Sequence, residues 1–144
     1  MKNLLIICTH GDFGKEIIHS AEMIIGKTEN VKYFSLKEGM DPFQYRSLMT
    51  EYLDEHEDCG VLCLVDLFGG TPCNMATSIP RDNYEIVSGL NLAMLIETYS
   101  LLQSLTVEQL KMTALDTLSN SGHDVKKRFQ ELKLRKRWDY YVWY

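Results

Sequence analysis

Two residues, His10 and Asp66, offer this chain's clearest chemistry. An imidazole with a carboxylate on one ring nitrogen has a fixed tautomer and directs the lone pair of the other nitrogen outward. That is what an activated nitrogen nucleophile requires. Just after Asp66 stand Gly69, Gly70 and Thr71, followed by Pro72. Glycines and a hydroxyl at a helix start present backbone N–H groups in a nest that suits an anion, and the helix dipole favours the same charge. Two influences act oppositely on the ring. Asp66 favours imidazolium, and a nearby helix N-terminus disfavours it by about 0.3–1 kcal/mol in exposed settings. The neutral ring is the form that attacks, and with a phosphate cradle beside it the set reads as a phosphohistidine carrier.

Each of these residues has a plainer reading as well. Most histidines are surface or hydrogen-bonded side chains, and His19, His56 and His123 are read that way. His10 differs because it closes an apolar strand, and open α/β sheets hold their ligands beyond the carboxyl ends of strands. Asp66 could serve a turn. Yet an ionised carboxylate directly after five apolar residues is costly without a partner, and an imidazole on an adjacent strand supplies one.

The elements that must bring the two together follow from the pattern. Leu4 to Thr9 and Val61 to Val65 are apolar runs of strand length, the second suited to burial on both faces of a parallel sheet. Phe13, Ile17, Ile18, Ala21, Ile24 and Ile25 recur at helix spacing, with Gly26 as a C-cap. Val31 to Leu36 reads as a second strand, Lys37-Glu38-Gly39 as a turn, and Asp41-Pro42 as the start of a helix reaching about His56. Thr71, as N-cap, opens a short helix that Pro80 stops, and Gly70 is expected to take a positive φ. Tyr84 to Val87 is the fourth strand and Asn91 to Leu102 an apolar helix. Thr106 and Gln109 form a capping-box pattern for a helix ending near Gly122. Four strands alternating with helices predict an α/β fold with an open, doubly wound, mostly parallel sheet. Val125 to Leu134 fits strand or helix equally, and the aromatic cluster from Trp138 to Tyr144 reads as an interface with a second subunit.

Composition narrows the alternatives. At 144 residues, 45% apolar and 24% charged, the chain reads as one domain, 1–144. No apolar stretch reaches the roughly 18 residues of a membrane span, and Met1-Lys2-Asn3 leads straight into a strand, so a cytoplasmic location is expected. Of the net charge of −5, residues 124–144 contribute +4 and leave −9 for the rest. An acidic body argues against nucleic acid as ligand. Cys8, Cys59, Cys63 and Cys73 read as reduced thiols, because no second CxxC or HxxxH pair completes a metal set. The chain lacks a GxSxG elbow, a Walker lysine and a GxGxxG after the first strand, which leaves the hydrolase, ATPase and dinucleotide readings unsupported. A flavodoxin-like flavin carrier stays open geometrically, although THGDFG is poor in hydroxyl residues.

Three motifs, in order, resemble one family: LLIICTHGDFGKEIIHSAEMIIG, VLCLVDLFGGTPCNMA and YEIVSGLNLAMLIET. Residues 2 to 123 are similar to the enzyme IIA domain of the mannose family (mannose/fructose/sorbose type) of the bacterial sugar phosphotransferase system. The resemblance implies that His10 is phosphorylated on Nε2 by the phosphocarrier protein HPr. The group then passes to a histidine of enzyme IIB, which serves the membrane subunits IIC and IID. It implies that Asp66 holds the other ring nitrogen and that Thr71 donates its hydroxyl to the phosphate. Thr9, Gly11, Phe68, Gly69 and Gly70 would line the pocket, and Asn74 would brace the loop. No metal or other cofactor is implied. The family also implies a homodimer that exchanges an antiparallel C-terminal strand, here around Val125 to Glu131. With no Ala/Pro-rich linker or fused IIB domain, the chain resembles a free-standing IIA subunit. Its basic, aromatic tail from Arg135 to Tyr144 has no role in the family, and Phe68 stands where some members have tryptophan. A regulatory module of the same kind, phosphorylated on His10 but acting by binding another protein, is the alternative reading.

Overall fold

The apolar runs at positions 4–9 and 61–65 become the two central strands of the sheet in the computed structural model, which describes residues 2–135. The order along the chain is β1 (Asn3–His10), α1 (Phe13–Ile25), β2 (Val31–Leu36), α2 (Pro42–Asp54) and β3 (Gly60–Val65). It continues with α3 (Thr71–Thr77), β4 (Tyr84–Ser88), α4 (Leu92–Ser100), α5 (Val107–Asn120) and α6 (Val125–Arg135). The four strands are parallel, in the order β2-β1-β3-β4. The fold class is therefore the one expected: an α/β, open, doubly wound sheet. None of the described helices is long and apolar enough to cross a membrane.

Strand alternation sorts the core into two layers. Leu5, Ile7, Leu62 and Leu64 face Ile17, Ile18 and Ala21 of α1, Met94 and Leu95 of α4, and Leu110 and Ala114 of α5. Leu4, Ile6, Cys8, Val61, Cys63 and Val65 face Tyr45, Met49 and Leu53 of α2, and Cys73 and Ala76 of α3. Both central strands are buried along their apolar lengths, as parallel strands covered by helices on both faces must be.

The connections cross to opposite sides of β1: β2 lies on one flank and β3 on the other. At such a switch point the loops after the two central strands part and leave a crevice at their carboxyl ends. Register fixes what reaches it. Cys8 pairs with Val65, and His10 pairs with Leu36. The last residue of β1 and the first after β3 thus emerge side by side.

Local signals account for most helix ends. Asp41 caps α2 by accepting the Phe43 N–H at 3.0 Å, and Asn91 caps α4 by accepting the Met94 N–H at 3.0 Å. Thr106 and Gln109 close the capping box of α5 in both directions, at 3.2 and 3.0 Å. Thr71 is different from expectation. Gly70 is the N-cap of α3, in extended conformation (φ −74, ψ 168), and Thr71 is the first helical residue with Pro72 behind it. Proline is pre-organised for the first turn rather than for one position in it, so TP marks the helix start only to within a residue.

The C-terminal element also departs from the resemblance. Val125–Arg135 is helical, where the family implies an exchanged antiparallel strand over Val125 to Glu131. Apart from Val125 and Phe129 the segment is Lys, Arg, Glu, Gln and Leu, all good helix formers, and Asp124 Oδ1 accepts the Lys127 N–H at 3.1 Å at its start. A strand here would need a second chain to pair with, and a single chain offers none. The expected aromatic interface of residues 138–144 lies outside the described residues.

Candidate active site at the ends of β1 and β3

His10 leaves the end of β1 with its side chain 48% exposed, while that of Asp66, just past β3, is 12% exposed. Asp66 Oδ2 accepts two hydrogen bonds from His10, one from the backbone N–H and one from ring Nδ1, each at 2.9 Å. A carboxylate can only accept, so Nδ1 carries the proton and the Nε2 lone pair is left free. The second Asp66 oxygen, Oδ1, is buried without a partner among the described residues. The carboxylate therefore spends its hydrogen-bonding capacity on one histidine.

The loop after β3 lies against the ring. A Cβ on Gly70 would fall 2.8 Å from His10 Cε1 and 3.3 Å from Nε2. Only glycine lets the imidazole stand there. The positive φ expected at Gly70 belongs instead to Gly69 (φ +82), where a Cβ would meet nothing within 4 Å. The two glycines thus have separate roles, one bending the loop and the other admitting the ring. Asn74 Nδ2 donates to the Gly69 carbonyl at 3.1 Å, and the Asn74 N–H donates to the Gly70 carbonyl at 2.9 Å, so α3 holds the loop at two points.

The amides sort in the same way. The Gly70 N–H is engaged by the Leu67 carbonyl (3.2 Å), and the Gly11 N–H by the Leu36 carbonyl (2.7 Å). The amides of Phe68, Gly69 and Thr71 have no hydrogen-bond partner among the described residues. Thr71 is half-buried at the positive end of α3. Phe68 stands at the rim, 84% exposed, beside Leu67 at 60%.

Thr9 does not line this site. Its side chain is fully buried, where Oγ1 accepts the Gly14 N–H at 2.8 Å and donates to the Gly11 carbonyl at 3.3 Å. Alternation along β1 sends Thr9 to the α1 face, where it fastens the β1–α1 turn. Gly11, at φ +54, makes that turn.

On the other flank, toward β2, an open cavity of about 710 Å³ is lined by His10, Gly11, Asp12, Leu36, Lys37, Glu38, Gly39 and Met40. Lys37 Nζ is paired with Asp12 Oδ1. The lysine holds the Asp12 carboxyl below the usual carboxylate range. In sequence Lys37 is marked only by the turn Lys37-Glu38-Gly39. Only the β1–β2 register brings it beside His10, and the sequence does not state that register. Among the described residues, no cluster of three His, Cys, Asp or Glu side chains is placed to hold a metal ion.

An oriented imidazole with a free Nε2, a glycine loop against its ring and unpaired amides beside it has the parts of a nitrogen nucleophile facing an anion-binding loop. The family model for "PTS system fructose IIA component" matches residues 4–115. The PTS system fructose-specific EIIA component of Bacillus subtilis is 37% identical over 128 residues, 84% of each chain. The PTS system mannose-specific EIIAB component of Escherichia coli is 35% identical over 102 residues, 65% of this chain. The chain spans only 30% of that relative's length. Among solved structures, the mannose/sorbose specific IIA subunit of the phosphotransferase system from Enterococcus faecalis superposes with a TM-score of 0.78 at 28% identity. The match covers 85% of this chain and 94% of that one.

Proposed function

This chain belongs to the family of PTS system fructose IIA components, the mannose-type enzyme IIA of sugar phosphotransferase systems, and we propose that His10 is its phosphoryl carrier. The observation that carries the reading is the double hydrogen bond from His10 to Asp66 Oδ2, at 2.9 Å each, which leaves Nε2 bare on an exposed ring. Phosphohistidine on HPr is the donor. Its N–P bond breaks as the bond from His10 Nε2 to phosphorus forms, and the donor's ring nitrogen keeps the electron pair. Asp66 steadies the positive charge that develops on the ring. The free amides of Phe68, Gly69 and Thr71, together with the Thr71 hydroxyl, receive the phosphoryl oxygens. Transfer to a histidine of enzyme IIB reverses the same step, and sugar is taken up through the membrane subunits IIC and IID.

The exposed Leu67 and Phe68 support the reading, since partners must bring their own histidine against the ring and large apolar side chains at a rim favour docking. Assembly as a homodimer in the cytoplasm belongs to the same proposal. Incubation with phosphoenolpyruvate, enzyme I and HPr adds one acid-labile phosphate per chain, and the His10→Ala variant takes up none. A parent chain that stays unmodified would refute the carrier role. Phosphate that enters but never passes to enzyme IIB would instead identify a regulatory module.

A further inference from the structure

His10 has two flanks, and the glycine loop occupies only the one toward β3. The flank toward β2 carries Lys37, whose position is fixed by backbone rather than by chance packing. His10 pairs in register with Leu36, and the Gly11 N–H donates to the Leu36 carbonyl at 2.7 Å, which ties the two strand ends together immediately before Lys37. On its other side the Met40 N–H donates to the Lys37 carbonyl at 3.1 Å, closing a turn through Gly39 at φ +76. Neighbouring strands lie about 4.8 Å apart, so Lys37 starts one residue beyond the backbone partner of His10. A flexible four-carbon side chain reaches across that interval.

Charge gives the position its meaning. The titratable groups lining the cavity are His10, Asp12, Lys37 and Glu38, with Asp66 behind the ring. A phosphoryl group on Nε2 brings close to two further negative charges at neutral pH among three carboxylates. Lys37 is the one cation among the residues that line this cavity. Its partner Asp12 is itself 45% exposed and Lys37 is 54% exposed, so the pair is screened by water and readily exchanged.

Resting on the carrier reading above, we propose that Lys37 is the cation that meets the phosphoryl group on His10, moving to it from Asp12 when the group arrives. In the unphosphorylated chain Asp12 holds the ammonium, and both residues line the cavity that His10 lines. In the phosphorylated chain the phosphoryl oxygens, with the greater charge, take it over.

The test uses phosphoramidate, a small donor that transfers its phosphoryl group to histidine without a protein partner: its N–P bond breaks, ammonia leaves, and the bond to Nε2 forms. Parent, Lys37→Met and Lys37→Arg chains are compared with phosphoramidate and with phospho-HPr. The 31P shift of the product is followed against pH. Lys37→Met is expected to react roughly tenfold more slowly with both donors, the scale of one lost charge-assisted hydrogen bond at a half-exposed site. Its phosphoryl group is also expected to take up its second proton at higher pH. Lys37→Arg keeps both properties near the parent's. If Lys37→Met matches the parent with phosphoramidate and in the 31P titration, the proposal is wrong, and a defect confined to phospho-HPr would make Lys37 a docking contact instead. A parent chain that neither donor phosphorylates would overturn the carrier reading itself.

Discussion

Asp66 Oδ2 takes both the backbone N–H and the ring Nδ1–H of His10, at 2.9 Å each. One oxygen thus closes a ring through a single residue and fixes the histidine's side-chain torsions, its tautomer and the direction of its free nitrogen together. The two residues are 56 positions apart in the chain. They meet because β1 and β3 are adjacent parallel strands that end at the same edge.

Asp66→Asn separates orientation from electrostatics. The amide is nearly the same size and shape as the carboxylate, so the far-ultraviolet circular dichroism and the unfolding midpoint stay close to the parent's, while an NH2 turned toward His10 Nδ1 would donate and force the other tautomer. The phosphorylation rate should fall steeply, by up to roughly ten-thousandfold, the scale seen where an amide in place of an orienting carboxylate imposes the wrong tautomer. Rapid-quench kinetics that match the parent's would show that the orienting role is misassigned.

Gly69→Ala and Gly70→Ala should fail in opposite ways. At Gly69 the added methyl meets nothing within 4 Å but must adopt φ +82, a strain of about 1–2 kcal/mol that lowers stability more than activity. At Gly70 the backbone (φ −74) accepts alanine freely, yet the methyl would sit 2.8 Å from His10 Cε1. That variant should unfold near the parent's temperature and accept phosphate far more slowly. Denaturation curves and phosphorylation rates on the same samples decide the matter.

The four thiols should divide one against three. Cys8, Cys63 and Cys73 are buried and Cys59 is partly exposed, with all four free. Cys8 and Cys63 lie with Sγ atoms 3.6 Å apart, and burial pushes the Cys63 thiol up, away from the reactive thiolate. An aromatic disulfide reagent should therefore titrate a single thiol quickly in the native protein and the other three only in denaturant. Rapid labelling of Cys8 or Cys63 in the native chain would contradict this core.

Acid should weaken the Asp12–Lys37 pair from one side only. The Asp12 carboxyl is held below its ordinary range by Lys37, so its contribution is complete above that range and is lost as pH falls through the lowered value. Carboxyl-carbon NMR should show Asp12 titrating below an ordinary aspartate, and Lys37→Met should bring it back. An unchanged midpoint in the variant would show that the lysine does not set it.

Much of this site can be read from residue order. Apolar runs that end in His10 and Asp66 signal two buried parallel strands, and the glycines after Asp66 signal a loop pressed against something. The finer assignments depend on three-dimensional neighbours. Strand alternation places Thr9 inside, because the residue before an exposed strand end must face a helix. Gly69 and Gly70 look alike in sequence, and only the ring lying over one of them tells their roles apart. Asp12 and Lys37 carry no motif at all and meet through register between β1 and β2. Val125–Arg135 has the composition of a helix, and only a partner chain could give it reason to be a strand.

The ring nitrogens of His10 provide the most direct test. Long-range proton–nitrogen NMR on the phosphorylated protein, labelled with 15N in its histidines, should show phosphate on Nε2 and a proton on Nδ1, as the Asp66 contact requires. Phosphate on Nδ1, or on any other residue while His10 stays unmodified, would contradict the account.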